Sequence, residues 1–230
     1  MTRYYERLTL NQRIQHIVLM LSFTLLVVTG LPVRYPNSQV SQFIISTLGG
    51  YAMRSMLHRI GAVMLIGLVI YHVIYTALSR RGRAELGTLM PAKKDFTDLF
   101  TMLKYYFGLA PVGPRFDRYD YIEKFEYWAV GWGSVVMILT GFMLWFPAQT
   151  LRIFPMWALD IARVVHSYEA LLAFLTILIW HMYHVHLKPG RFPVNMSWLT
   201  GRVTEDDMKH DHPLEYERAG GNEMAEEESR

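Results

Sequence analysis

Four long apolar stretches, over residues 14–33, 56–78, 128–146 and 164–186, constrain this chain more than any other feature. A hydrocarbon core of ~30 Å takes ~20 helical residues to cross, and each stretch meets or approaches that length. Inside lipid a backbone must satisfy its own hydrogen bonds, and strand-like alternation is absent, so the stretches should be helices. Pro32, Pro147 and Pro189 stand at or just past three of the ends, where a helix should stop. The expected fold is an all-α integral membrane protein, with a transmembrane four-helix bundle within residues 1–200 and a tail over 201–230. The end of that tail, "GGNEMAEEESR", is polar and acidic enough to be expected disordered.

Composition narrows the chemistry. There is no cysteine among the 230 residues. That excludes disulfides, thiolate metal sites, cysteine-held iron–sulfur clusters and thioether-linked haem within this chain. A metal here must be bound by His, Met or carboxylate. A net charge of +3 without a recognisable motif gives no support to a nucleic-acid partner. The first apolar run begins at Ile14, is long enough to span and lacks a small-x-small cleavage site, so no cleavable signal is expected.

Basic residues give the expected orientation. Arg3, Arg7 and Arg13 precede the first span, and the second connection carries eight lysines and arginines between Arg80 and Arg118. The first and third connections carry fewer. The positive-inside rule then puts both termini and the second connection in the cytoplasm. Trp128, Trp132, Trp145, Trp157 and Trp180 fall near the expected interfaces. Within "DFTDLFTMLKYYFGL", Phe96, Leu99, Phe100, Leu103, Tyr106 and Phe107 recur at helical spacing. This reads as an amphipathic helix, lying on the cytoplasmic membrane surface or docked on a partner subunit.

Seven of the nine histidines lie in or at the spans. Polar groups at membrane depth are costly and need a partner or a function. His58 and His72 are 14 residues apart, ~21 Å of helix rise, and His166 and His181 are 15 apart, ~22 Å. Spans two and four run in the same direction. His58 and His166 therefore share one depth near the outer surface, while His72 and His181 share another near the cytoplasm, and His16 also lies at the inner depth. Two layers of facing histidines suit two b-type haems, each clamped by two imidazoles and stacked as an electron path through the bundle. An iron with two histidine ligands has no open position, so its role is electron transfer. The phase is imperfect: at 100° per residue, 15 residues overshoot by ~60°. His184, 18 residues after His166, returns to the same face. Either a helix distortion corrects His181, or His184 is itself a ligand.

Arg13 and Arg163 each precede a candidate ligand by three residues and Arg59 follows one directly. All three could meet haem propionates or simply snorkel to the interface. Gly30, Gly61, Gly67, Gly131, Gly133 and Gly141 could admit a flat macrocycle or another helix. Met20, Met64, Met137 and Met143 read as packing.

"RIQHIVLMLSFTLLVVTGLP", "MLHRIGAV", "VVHSYEALLAFLTILIWHMY" and "WLTGRVTEDDMKHDHPLEYER" together resemble the dihaem cytochrome b (gamma) subunit of membrane-bound formate dehydrogenases. The resemblance covers the four spans and the tail. It implies an outer haem b on His58 and His166 and an inner one on His16 and His181. It also implies a bacterial inner-membrane location, a periplasmic redox partner subunit carrying iron–sulfur clusters or several haems, and exchange with quinone near the inner haem. The chain departs from the family in its 15-residue spacing on the fourth span, in the extra His72 and His184, and in its long second connection. Three arrangements stay open: two haems with His16 and His181 on the inner one, an inner haem on His72 and His181, or a third haem on His72 and His184. His186 is expected at the interface, and His210 and His212 at solvent or a subunit contact.

A quinone site also needs a proton route. Asp120, Glu123 and Glu126 stand at the entry of span three as candidate carriers, or as counter-charges to Arg115, Arg118 and Lys124. Glu169, one turn past His166, sits at membrane depth. It is a further candidate proton carrier, and could also orient a ligand, bind quinone, or pair with Arg163 or a tyrosine. Two other functions compete: a histidine-lined divalent-metal transporter, and an assembly anchor using histidines as interhelical hydrogen-bond partners. Transport would favour acidic residues at mid-span and broken helices, neither of which is conspicuous, and an anchor does not predict two depth-matched layers. With no soluble catalytic motif, the chain is expected to act as the quinone-reactive electron-transfer subunit of a hetero-oligomeric oxidoreductase complex.

Overall fold

The computed structural model describes residues 3–188, 192 and 194–228, with side chains described up to residue 220. Pro189 lies outside the described residues, as do the last two residues of the acidic tail. The chain divides into two compact units, one of residues 11–74 and 129–195, the other of residues 1–10, 75–128 and 196–230.

The first unit holds the greater part of each span. Helix α1 is Leu10–Arg34, a short α2 is Gln39–Thr47, and α3 is Gly50–Leu78. Helices α6 (Tyr121–Trp145) and α8 (Met156–Leu175) follow later in the chain, with α7 (Pro147–Ile153) between them. After α8 the same helix continues as two π-helical segments, Thr176–His181 and Tyr183–Leu187. The four candidate spans are Leu10–Arg34, Gly50–Leu78, Tyr121–Trp145 and Met156–Leu187. They outrun the apolar stretches because polar residues such as Asn11 and Gln12 continue the helix beyond the membrane-like run. Pro32 does not end α1; it sits inside the last turn, buried. Pro147 does mark a break, at the first position of α7, where its missing N–H costs nothing.

The bundle is apolar outward. Leu139 and Leu172 are about 60% exposed (61% and 60%), as suits side chains solvated by lipid. Among the described residues, the largest fully buried side chains are Thr29 and Ser22. Small polar residues thus take the tightest positions, and each hydroxyl is satisfied within its own helix, Ser22 on the Leu19 carbonyl and Thr29 on that of Leu25.

The second unit is built on charge. Strands β1 (Tyr4–Glu6) and β2 (Arg202–Thr204) pair antiparallel, with Tyr5 opposite Val203. Helices α4 (Arg80–Leu89) and α5 (Lys93–Tyr106) belong to the second connection, and α9 (Ser197–Thr200), α10 (Glu205–Asp211) and α11 (Pro213–Glu228) to the tail. Ser79 caps α4 by accepting from the Gly82 amide at 2.8 Å. A Cβ on Gly82 would lie 2.3 Å from the Tyr75 carbonyl oxygen, so only glycine fits this turn. On α5 the charged face turns inward: Asp98 is buried beside Lys94, and Asp95 pairs with Lys124 at 2.9 Å. Phe96, Phe100, Tyr106 and Phe107 are exposed. The helix is amphipathic with its apolar side outward.

At the heart of this unit Arg7 is buried. It donates to Glu123 at 2.7 Å, to Glu215 at 3.3 Å and to the Arg118 carbonyl. Burial opposes its charge, but Glu123, Tyr119 and Glu215 outweigh that and raise its pKa. Arg118 in turn meets Glu85 at 3.0 Å and Glu215 at 2.7 Å. His212 was expected at solvent or at a subunit contact. It is instead buried, with Nδ1 2.8 Å from the Asp117 carbonyl, to which it donates. Burial, then the neighbouring Arg7, push its pKa below the usual histidine value.

Candidate cofactor site

The bundle brings the histidines together in two pairs. The rings of His58 on α3 and His166 on α8 have centroids 6.4 Å apart, inclined by 66°. The rings of His16 on α1 and His181 in the first π segment are also 6.4 Å apart, inclined by 41°. A direct N–H···N hydrogen bond would bring two imidazole centres to ~5 Å. A metal bound to one nitrogen of each ring at ~2 Å separates the centres by roughly 6 Å. Both gaps therefore have the width of one metal ion held between two imidazoles.

The tautomer at the first pair follows from its neighbours. The Thr29 hydroxyl donates to the Leu25 carbonyl at 2.6 Å and stands 2.8 Å from His58 Nδ1. Its one proton is spent on the carbonyl, so it accepts from Nδ1–H. Thr140 repeats this on α6: it donates to Val136 at 2.7 Å and accepts from His166 Nδ1 at 2.9 Å. With the hydrogen on Nδ1, each Nε2 keeps its lone pair as a ligand atom. The next residue in both cases is glycine. A Cβ at Gly30 would lie 3.3 Å from His58 Cε1, and one at Gly141 would lie 3.4 Å from His166 Cε1. Two Thr-Gly steps, on α1 and α6, thus seat two histidines on α3 and α8. The sequence does show the signal, "TG" near the end of the first and third spans, but its meaning depends on which histidine lies opposite.

The second pair is placed differently. In a π-helix hydrogen bonds run i→i+5, so each turn takes up an extra residue. The segment Thr176–His181 absorbs the ~60° overshoot of a 15-residue spacing and returns His181 to the interior. Beside His16, a row of hydrogen bonds runs along α1 and α3. His72 Nδ1 is 2.7 Å from the Gln15 oxygen, Gln15 donates to Asn11 at 2.6 Å, and Asn11 donates to the Tyr71 hydroxyl at 2.9 Å. His184 lies against Trp180, with centroids 4.7 Å apart, and Tyr183 at 5.4 Å. His186 accepts from the Asn195 amide at 3.3 Å.

The arginines separate into two kinds. Arg13 has a buried Nε with no hydrogen-bond partner among the described residues. So does Arg54, four residues before His58, whose Nη1 donates to the Thr29 carbonyl at 2.9 Å. Orphaned guanidinium N–H groups beside each pair are what a bound anionic group would satisfy. Arg54 was not singled out from sequence, although a spacing of four also keeps it on the face of His58. Arg59 instead lies 5.3 Å over the Trp145 ring, and the exposed Arg163 pairs with Asp160 at 3.1 Å. Among the acidic candidates, Glu123 is bound to Arg7 and closes a capping box with Asp120 at the start of α6. Glu126 is half-buried further along α6, and Glu169 faces α6 from α8.

A family model described as prokaryotic cytochrome b561 matches residues 7–192, most of the chain and all four spans. The chain belongs to the prokaryotic cytochrome b561 family. It is a multi-pass, lipid-embedded b-type cytochrome for electron transfer, and its cofactor is haem b. The paired imidazoles, the glycines against them and the orphaned arginine nitrogens fit that group. No curated protein matches this cytochrome. Among the described residues, no group of three or more His, Asp or Glu could hold a metal ion, and the transporter reading gains no support.

Proposed function

We propose that this cytochrome carries electrons across a bacterial inner membrane between a periplasmic redox partner and the quinone pool. Two b haems do so, one between His58 and His166, the other between His16 and His181. The observation that carries the reading is the pair of 6.4 Å ring separations. When bound, each haem supplies a one-electron carrier with no open coordination position. The chain supplies the rest. Thr29 and Thr140 fix the Nδ1–H tautomer and raise the basicity of Nε2. Arg54 and Arg13 meet propionates at the two depths, and Gly30 and Gly141 leave space beside the rings. That His16 stands 6.4 Å across from His181 favours two haems over an arrangement that uses His72 as a ligand.

Positive-inside loading puts the His16–His181 pair on the cytoplasmic side and the His58–His166 pair on the outer side, with both termini in the cytoplasm. The His72–Gln15–Asn11–Tyr71 row beside His16 offers a quinone head group hydrogen-bonding partners at the edge of the lipid. The exposed apolar face of α5 rests on the cytoplasmic membrane surface. The redox partner at the other end of the path is a periplasmic subunit bearing iron–sulfur clusters or several haems, within a hetero-oligomeric complex.

The test is a dithionite-reduced minus oxidised spectrum with a pyridine haemochrome titration of the purified protein. Two haems b per chain are expected. Three would bring in His72 and His184 as ligands, and a folded but colourless protein would overturn the reading.

A further inference from the structure

Helix α5 turns its aromatic side away from the unit that holds it. Phe96, Phe100, Tyr106 and Phe107, with Leu109 and Val112 just past the helix, are 62–76% exposed. The ionic side faces the other way, where Asp98 meets Lys94 and Asp95 meets Lys124 of α6 at 2.9 Å. Contacts with the ends of two spans set the level of this helix. Lys124 stands four residues before Trp128, where the apolar stretch of the third span begins, and Trp128 Nε1 donates to the Leu89 carbonyl at 2.9 Å. At the other end of α4, Arg83 donates to the Ala77 and Leu78 carbonyls in the last turn of α3. Helix α4 and the start of α5 are thus tied to the level at which the chain enters and leaves the lipid.

The charges of the second connection fall into two sets. Its carboxylates are committed: Glu85 to Arg118, Asp95 to Lys124, Asp98 to Lys94, Asp117 to Arg218, and Asp120 to the Glu123 amide. Lys93 and Lys104 are exposed and have no carboxylate partner among the described residues. Eleven residues bring Lys104 back to within ~20° of Lys93 around the helix, ~16 Å along it. Phe100 lies in the same row, so the two ammonium groups border one edge of the aromatic side. An exposed apolar side of this extent marks a surface that meets protein or lipid. Lysine is depleted from protein interfaces. At the edge of a lipid-facing helix it is at home, its stem on apolar surface and its ammonium among the headgroups. The paired lysines therefore favour lipid, and their charge favours anionic lipid.

We propose that α5 is an in-plane anchor for anionic phospholipid. Its aromatic side enters the boundary between headgroups and acyl chains, and Lys93 and Lys104 hold phosphate-bearing headgroups along its edge. This rests on the placement of α5 at the membrane surface given above, and adds the class of lipid and the residues that select it. Each lysine near an anionic surface contributes roughly fivefold, and the two together roughly 25-fold.

The chain has no cysteine, so Phe100→Cys provides a single site for a nitroxide label. The labelled full-length protein is placed in nanodiscs of phosphatidylcholine alone, or of phosphatidylcholine mixed with phosphatidylglycerol. Power saturation with oxygen and with a water-soluble nickel chelate separates immersed from water-exposed label. The ratio of immersed to exposed label should be roughly 25-fold higher in the anionic discs. Lys93→Gln/Lys104→Gln in the same discs should reproduce the behaviour in phosphatidylcholine. High salt should do the same to the unsubstituted helix, which tests the charge without a variant that could misfold. Equal immersion in both kinds of disc, or a preference that survives both the double substitution and salt, would overturn the proposal and leave the membrane-surface placement standing. A label open to nickel in both discs would overturn that placement as well. A label immobilised and closed to both reagents would mean that protein covers this side, and would overturn both.

Discussion

At the His58–His166 pair each imidazole is held from behind by a threonine and flanked by a glycine, all on regular α-helix. At the His16–His181 pair one ring is delivered by a π-helical segment, and the neighbours are an amide, a further histidine and a tyrosine in a hydrogen-bonded row. The ring separations are the same, 6.4 Å in each. Equal gaps reached by such unequal means separate two demands. The first pair is built for a fixed geometry. The second keeps polar groups at its edge and a helix that has already departed from its best hydrogen bonding, and such departures concentrate at functional sites. On the function proposed above, the first suits a relay haem and the second a haem that exchanges electrons with a mobile substrate.

The strongest way to break this comparison is to remove one ring from each pair. His58→Ala should lose one of two haems and leave the other's spectrum intact, and His16→Ala should do the converse. Haem titration and low-temperature spectra read both. If either variant loses both haems, the pairs are not independent sites.

Next in size is Thr29→Val, which keeps the shape and removes the acceptor for His58 Nδ1. Loss of such a supporting hydrogen bond costs roughly 10- to 100-fold in metal affinity. Haem should leave the His58–His166 pair preferentially, as measured by transfer to apomyoglobin. Thr140→Val should act alike. Gln15→Leu, at the other pair, should change quinol oxidation or quinone reduction more than haem retention. Smaller again are the arginines. Arg54→Gln should lower the midpoint of the His58–His166 haem, and Arg13→Gln that of the other, each by about 20–60 mV, because a positive charge that favours the reduced form is removed. Equal shifts at both haems from either variant would mean that the two arginines do not serve separate pairs.

Much of this arrangement is written locally. Span lengths, the near absence of charge within them and the depths of His58, His166, His16 and His181 follow from apolar runs and helical rise alone. What the sequence left open depends on contacts between distant segments. His181 is out of phase on an ideal helix, and no residue in "TILIWH" announces a π turn; it is visible only once His16 is opposite. Thr29 and Thr140 look like ordinary span residues until a histidine 29 or 26 positions later packs against them. Glu123 reads as a proton carrier because its partner, Arg7, is 116 residues away in sequence. His212 reads as a surface residue for the same reason, since Asp117 and Arg7 bury it.

His212 provides a control outside both pairs, and the smallest expected effect. Its pKa is lowered by burial and then by Arg7, with Glu123 and Asp211 acting in the opposite sense. Above about pH 6.5 the residue is neutral in folded and unfolded chains alike. As pH falls below that value the unfolded chain takes up the proton first, so the folded unit loses stability until the folded residue titrates too. The loss is at most ~1.4 kcal/mol per pH unit from this one group. Hydrogen exchange of the amides of residues 202–216 should therefore speed up between pH 6.5 and pH 5 beyond the intrinsic chemical trend. His212→Gln, which keeps a donor for the Asp117 carbonyl and cannot titrate there, should remove that part of the pH dependence. Both haems should keep their bands and midpoints. A haem that responds to this substitution would tie the ion-paired unit to the cofactor pairs, and the contrast between them would then have to include it.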